Sequence, residues 1–472
     1  MSVSRLPRPV FTGRYRYSRW RWRVLVYVLD SLGALLLWLW RLVRAKPVVN
    51  SPRRIVIIQL DHLGDGVLTT AMLPGLRMAY PDASIDVLAS PSNQAVFATH
   101  PEIDRVLLAE KNWFERQARC GSLLASVWTF GRLLRTQKYD LGIDVRGDIL
   151  SVLVLALAGI PRRVGWAMGG GGFLLTDIAE WKPGRHEVES RLSLLAALNI
   201  HPNQLPGVTI GVRDEDRIRI AERLLGRTAG TPRELGKHPA RPRGRRTTAV
   251  PGHHLNNHYN RRRNGRKTDG RPSASVRPSL PFDDPDWLHA GRIGQEEPLL
   301  AIHLGAGTQA KRWPLKHWRS LIALFLQEGW RVVIIGGPEE TNLKLDIIPN
   351  ERVMDWTGTL EITETTALLE RADLFIGGDS GPAHLAACAG VPSVILFSGT
   401  NHARQWRPWS RKALVLKNRI SCRPCHRKIC PLADHPCLTG ISPERVFQTA
   451  KRWWNRTDRP RAALPEPTQA LA

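Results

Sequence analysis

Ile55-Val-Ile-Ile-Gln-Leu60 is apolar with no polar alternation, Asp61-His-Leu-Gly-Asp-Gly66 turns, and a helical apolar pattern follows from Val67. A short, fully apolar strand running straight into a helix is the unit of a parallel sheet covered on both faces. The same alternation continues outward. Ser84–Ala89, Arg105–Leu108 and Leu141–Val145 read as strands, and Val67–Tyr80, Leu123–Arg135 and Ile149–Ala158 as helices. A second series begins at Leu299, with strands Leu299–Leu304, Arg331–Ile335, Asp373–Ile376 and Ser393–Phe397. Its helices are Leu315–Glu328, Thr363–Arg371 and Pro382–Ala389. Two such series predict an α/β protein of two doubly wound, Rossmann-like domains facing a cleft. The 472 residues suit two or three domains.

Charge marks the boundaries. The chain holds 68 Lys and Arg against 42 Asp and Glu, a formal net charge of +26. Residues 1–54 have twelve basic residues and one acid, Asp30; residues 227–281 have fourteen and two. The remainder is close to neutral, which argues against a nucleic-acid partner, as does the lack of a base-reading motif. The expected divisions are a basic, apolar extension at 1–54, an N-terminal domain at 55–226, a disordered basic insertion at 227–295, a C-terminal domain at 296–455, and a loose tail at 456–472. The insertion is mostly Arg, Pro, Gly, His and Asn, too little apolar surface to offset its ordering entropy. In the extension, seven Arg precede a run from Val24 to Trp40 whose one charge is Asp30. That run is short for a membrane span and Asp30 is costly at mid-bilayer. It reads as a helix on the cytoplasmic membrane face, peripheral or singly anchored; the alternative is a helix packed on the protein.

In open parallel sheets ligands sit at the carboxyl ends of strands, so the loops there are the candidates. The first is no G-x-G-x-x-G dinucleotide loop, but it puts Asp65 at a helix start, as a base or merely a cap. Asp61 and His62 are rival bases. The second, Gly305-Ala-Gly-Thr-Gln-Ala-Lys311-Arg-Trp-Pro314, offers close backbone approach at Gly307, a hydroxyl at Thr308 and a phosphate-binding ammonium at Lys311. The third, Gly377-Gly-Asp-Ser-Gly-Pro-Ala-His384, opens a helix that Ser380 can cap. Gly381, Pro382 and Ala383 would form its first turn and leave backbone donors for a diphosphate, with Asp379 and His384 beside them. The fourth, Gly337-Pro-Glu-Glu340, places an acid where a ribose diol is commonly held. Together they set a carboxylate opposite a diphosphate cradle.

These pieces resemble glycosyltransferase family 9, the ADP-heptose:lipopolysaccharide heptosyltransferases. The matching segments are Leu63-Gly-Asp-Gly-Val-Leu68, His303-Leu-Gly-Ala-Gly-Thr308, Lys311-Arg-Trp-Pro-Leu-Lys-His-Trp318, Gly336-Gly-Pro-Glu339 and Gly378-Asp-Ser-Gly-Pro-Ala-His-Leu385. The resemblance implies a two-domain fold of the GT-B type and inverting, metal-independent transfer of a heptose or related sugar. The donor would be a nucleotide diphosphate sugar such as ADP-heptose; the acceptor, a lipopolysaccharide core or other lipid-linked glycan. It implies Asp65 as general base, Lys311 and Thr308 on the donor phosphates, Glu339 near the ribose, and Asp379 through His384 around sugar and diphosphate. No cofactor is implied for catalysis. The extension and the insertion depart from the family's pattern. Two other readings compete: a nucleotide-sugar epimerase or hydrolase of the same fold, and a non-catalytic membrane-tethered binding protein.

Cys422, Cys425, Cys430 and Cys437, spaced C-x2-C-x4-C-x6-C, offer four thiolates for a structural zinc; a thiol-lined loop and disulfides are the alternatives.

Overall fold

The computed structural model describes residues 20–43, 51–109, 120–202, 206–226, 297–343, 345 and 350–457. The expectations for 227–295, for the chain beyond Thr457, and for 1–19 and 44–50 concern residues outside these. The chain divides into two compact units, with breaks after Arg213 and after Gln295. In the smaller one, the described element is helix α8 (Asp214–Leu224), whose three acids in the first turn complement its dipole.

The larger unit holds two parallel six-stranded sheets. The first comprises β1 (Arg54–Gln59), β2 (Ser84–Ala89), β3 (Arg105–Leu108), β4 (Leu141–Asp144), β5 (Arg162–Gly165) and β6 (Asp177–Ile178). The second comprises β7 (Leu299–His303), β8 (Arg331–Ile335), β9 (Val353–Asp355), β10 (Leu374–Gly378), β11 (Ser393–Phe397) and β12 (Ala413–Lys417). Their orders are β3-β2-β1-β4-β5-β6 and β12-β11-β10-β7-β8-β9. Each is the doubly wound order, reversing between β1 and β4 in one sheet and between β7 and β10 in the other. A crevice opens at such a reversal, because the connections leave in opposite directions. The α/β class read from the alternating pattern is therefore the observed one.

Ile55–Ile58 of β1 and all of β7 are buried, as a strand covered on both faces must be. Helices α1 (Trp20–Val43), α2 (Leu63–Thr70), α3 (Leu73–Ala79), α4 (Gln94–Ala98), α5 (Cys120–Gln137), α6 (Ile149–Leu157) and α7 (Glu187–Ala197) belong to the first half. Its core gathers Val56, Ile58, Leu88, Leu134, Val154 and Leu155. In the second half, the Leu315–Gln327 and Pro443–Thr457 helices pack together, with Phe325 edge-on to both Trp330 (5.2 Å) and Phe447 (5.0 Å).

One expectation needs correction. Val67–Tyr80 is not one helix: α2 begins four residues earlier, at Leu63, and α3 restarts at Leu73. Pro74 sits in the first turn of α3 and has no N–H to continue the preceding ladder. The starting point matters, since it moves Asp65 into the first turn of α2. The apolar run near the N-terminus, α1, packs one stripe on the first half: Val26 and Asp30 are buried, and Asp30 Oδ1 accepts the Gly171 N–H at 2.8 Å. Asp30 is thus turned toward protein. No helix among the described residues is long and apolar enough to cross a membrane.

Phe325→Ala should destabilise the second half by about 3–5 kcal/mol, because it removes a ring packed against two others. Urea unfolding followed by Trp fluorescence measures the shift.

Candidate functional site

The loops after β1, β4, β7 and β10 flank the two reversals, and they meet. Helix α2 and the Gly381–Ala389 helix abut at their N-terminal ends. Contact is so close that a Cβ on Gly64 would lie 2.8 Å from His384 Cδ2, and one on Gly381 2.6 Å from Leu63 Cδ2. Both glycines are needed for this approach. The meeting brings the Asp65 turn against the 380–384 turn.

Asp65 does not cap its helix. His62 occupies the N-cap, exposed and without a side-chain cap bond. The Asp65 carboxylate instead lies 3.4 Å from Nη2 of Arg191, a side chain that is 2% exposed. Arg191 also pairs with Glu187 one turn away on α7 and donates from Nε to Thr69 Oγ1. Burial is the main cause that lifts the Asp65 pKa to about 7; Asp61 and Glu187 push the same way, and Arg191 and Arg146 oppose. Asp61, the rival, is tied to Arg146 at 3.5 Å, and its backbone carbonyl accepts from Ser90, Ser92 and Asn93. Its pKa is also raised, first by burial. Arg146 reaches Asp148 at 2.7 Å, and Asp148 caps α6 by accepting from the N–H groups of Leu150 and Ser151.

On the other side, Lys311 Nζ pairs with Asp379 Oδ2 at 2.7 Å, and Asn401 donates to the same carboxylate oxygen at 3.1 Å. Thr308 stands just before the Lys311 turn. Its Oγ1 is buried, with no hydrogen-bond partner among the described residues. The same holds for Nδ1 of His384, which is buried at the start of its helix. Burial pulls the His384 pKa down to about 4, so its ring is neutral near pH 7. Two unsatisfied buried polar atoms at one crevice are the mark of a site built for a polar ligand. Gly307 is open, with nothing near the position of a Cβ. Pro382 lies in the first turn beyond Gly381, followed by buried Ala383.

Ser380 is not the cap the sequence suggested. Its side chain makes no cap bond; Oγ lies 3.0 Å from His303 Nδ1 and 3.3 Å from Gly378 O. The other ring nitrogen of His303, Nε2, lies 2.9 Å from Glu340 Oε2. A carboxylate only accepts, so Nε2–H donates to it and Nδ1 is left to accept from the serine hydroxyl. Glu340 also accepts the Gly337 N–H at 3.0 Å, and its pKa is lowered by the His303 contact against the cost of burial. Of the two glutamates, Glu340 is therefore spent on structure, whereas Glu339 is exposed.

Sequence reasoning did not single out Arg191, Arg146, Glu187, His303 or Asn401 as site residues. His303 lay inside a quoted motif at a strand end, the one signal for it. The arginines are far from their acids in sequence and gave none.

The seam between the halves is polar. Gln405 donates to Glu187 Oε1 at 2.7 Å, His186 Nε2 lies 2.9 Å from Arg407 O, and Trp409 Nε1 donates to Pro206 O at 3.0 Å.

Cys422, Cys425, Cys430 and Cys437 are free thiols around a cavity of about 160 Å³ with an almost wholly apolar lining. Among the described residues, no three His, Cys, Asp or Glu side chains are arranged to hold a metal ion. Of the three readings of these cysteines, a structural zinc set is not shown, no disulfide joins them, and a thiol-lined loop is what is observed. His435, within the same lining, is drawn to Ala310 O at 3.1 Å.

Residues 265–435 match the family model for glycosyltransferase family 9 (heptosyltransferase). The chain is 25% identical to lipopolysaccharide heptosyltransferase 3 of Escherichia coli over 360 residues, covering 74% of this chain and 85% of that one. Among solved structures it is similar to a family 9 glycosyl transferase from Veillonella parvula, with a TM-score of 0.60 at 20% identity over 87% of this chain and 100% of the other. The E. coli ADP-heptose LPS heptosyltransferase II superimposes with a TM-score of 0.59 at 20% identity, covering 85% and 99%. These structural likenesses show the shared GT-B architecture.

The His384 ring should not titrate between pH 5 and pH 8. Histidine-selective NMR, with His384→Gln used for assignment, checks this.

Proposed function

The chain belongs to glycosyltransferase family 9 and is a glycosyltransferase, and from that premise we propose inverting, metal-independent transfer of a heptose from ADP-heptose to a lipopolysaccharide core or another lipid-linked glycan. The observation that carries this reading is the contact of the Asp65 turn with the Ser380–His384 turn. It sets a base against an anion cradle at the mouth of both sheets.

An alcohol is a poor nucleophile near neutrality. Asp65, with a pKa of about 7, is ionised in a useful fraction and still basic enough to take the hydroxyl proton as attack begins. Arg191 holds the carboxylate in place, and Glu187 keeps the guanidinium from lowering its basicity too far. The anomeric carbon gains cationic character, and the departing diphosphate gains negative charge. Lys311, freed from Asp379 as phosphate arrives, and the Gly381 N–H at the positive end of its helix stabilise that charge without a divalent ion. Thr308 Oγ1 and His384 Nδ1 complete their hydrogen bonds on the donor. Glu339, exposed beside the Gly337 turn, is the acid available to the ribose. A single displacement, in which the acceptor oxygen bonds to the anomeric carbon as the nucleotide diphosphate leaves from the opposite face, inverts the anomeric centre.

The donor assignment draws on relatives whose names give heptosyl transfer and ADP-heptose. A lipid-linked acceptor places the reaction at the cytoplasmic face of the inner membrane, in keeping with the basic, apolar N-terminal segment.

Asp65→Asn should lower kcat by about 10²–10⁴ while ADP binding stays within twofold. Kinetics with ADP-heptose beside ADP calorimetry test both halves of that statement; near-normal turnover removes Asp65 from the role. In the wild type, the base must be unprotonated, so kcat/KM should fall about tenfold per pH unit below pH 7. Asp65→Glu should move that limb rather than abolish it. Lys311→Gln should weaken ADP binding about tenfold or more and lower kcat.

A further inference from the structure

Helix α1 touches the body of the protein along one narrow stripe. Val26 and Asp30 are its buried positions, and Gly33 lies against Phe173. These three fall at i, i+4 and i+7, on one side of a helix. The opposite arc is apolar and in solvent: Val24, Leu25, Val28, Leu29, Leu32 and Leu35 are each 46–54% exposed. Such an apolar face on a helix of 24 residues has no partner within this chain's described residues, and its size calls for one. The chain entering it supplies Arg5, Arg8, Arg14, Arg16, Arg19, Arg21 and Arg23 and no acid. Trp20, 68% exposed, stands at its start with Arg21 over the ring. Arginine and tryptophan bordering an apolar arc are complementary to anionic headgroups above acyl chains. A second copy of this chain would bring the same positive charge against itself.

What the helix is fastened to gives the arc a direction. Asp30 takes the Gly171 N–H, and Val26 lies against Gly170. The same glycine-rich turn presses on the next loop, since a Cβ on Gly169 would overlap Gly147 O and come within 2.9 Å of Asp148 Cα. Asp148 holds Arg146, Arg146 holds Asp61, and Asp61 is among the charges acting on Asp65. A short chain of contacts therefore joins the helix to the acceptor side of the crevice.

We propose that α1 lies in the interface of an anionic bilayer with its Val24–Leu35 arc among the acyl chains, and that Asp30 is the pin fixing the crevice relative to that surface. The inference rests on the lipid-linked acceptor reading above. Asp30 is a positioning residue: it touches no reacting atom, and its effect is confined to acceptors presented by a bilayer.

The test uses the full chain and vesicles of phosphatidylethanolamine with phosphatidylglycerol, against vesicles of phosphatidylcholine alone. Co-flotation with the anionic vesicles is expected, weakened by salt. Leu29→Glu should lower partitioning about tenfold or more. Asp30→Leu keeps the arc and should float as the wild type does. Its kcat/KM should nevertheless fall about tenfold on a heptose-deficient lipopolysaccharide core embedded in vesicles and stay unchanged on the same core stripped of its acyl chains. Asp30→Asn retains an acceptor oxygen for Gly171 and should restore the embedded reaction. Equal flotation of wild type and Leu29→Glu overturns the lipid assignment, as does a dimer in solution that Leu29→Glu dissociates while vesicles bind neither protein. Equal loss by Asp30→Leu on both acceptor forms, or on neither, overturns the pin. If the wild type glycosylates neither form, the acceptor reading fails, and flotation still decides whether α1 is a lipid-surface helix.

Discussion

The constraint on which the site depends is steric. Two helices, one from each sheet, meet end to end, and only glycine at positions 64 and 381 lets them come close enough. Each end presents the positive pole of its dipole. Two such poles side by side repel one another and attract anions. Asp65 answers that field from within the protein, and a diphosphate would answer it from outside. The carboxylate and the proposed diphosphate cradle are thus neighbours for one electrostatic reason.

Burial then gives the chemistry its tuning. Asp65 loses water and feels two other carboxylates, yet Arg191 keeps it from being wholly protonated at neutral pH. On the facing side, Asp379 is held by Lys311 and Asn401, so the ammonium is positioned before a ligand arrives. His303 links Glu340 to Ser380 and ties the β8 loop to the β10 loop. Asp61, Asp65, Lys311 and Asp379 each have a defined partner, which limits reorganisation when charge develops nearby.

Much of this was legible in the sequence because it is local. Ser84–Ala89, Arg105–Leu108, Arg331–Ile335 and Ser393–Phe397 coincide with the strands read from apolar runs. Arg162–Gly165 opens on two arginines and escaped for want of an apolar run, whereas Ala413–Lys417 carries four apolar residues in a row and was readable in principle. The break between α2 and α3 was readable in principle from Pro74. Side-chain partners across the fold were not. Ser380 had the composition of a cap and was claimed by a histidine 77 residues away; Arg191 reaches Asp65 over 126 residues. Asp30 looked like a misplaced charge in an apolar helix until its acceptor role toward Gly171 was visible. The four clustered cysteines teach the converse: ligand-type residues at suggestive spacing line a cavity without converging as a metal set.

The seam between the halves has one more consequence, for how such enzymes can be recombined. His186 reads a backbone carbonyl at Arg407, which any residue there would offer, whereas Glu187 reads the amide of Gln405. The first contact survives sequence drift in the partner lobe and the second does not. A chimera grafting another protein's second half onto this first half would keep its alignment through His186. It would also leave Glu187 Oε1 without its amide donor, and so loosen the carboxylate that holds Arg191 beside Asp65.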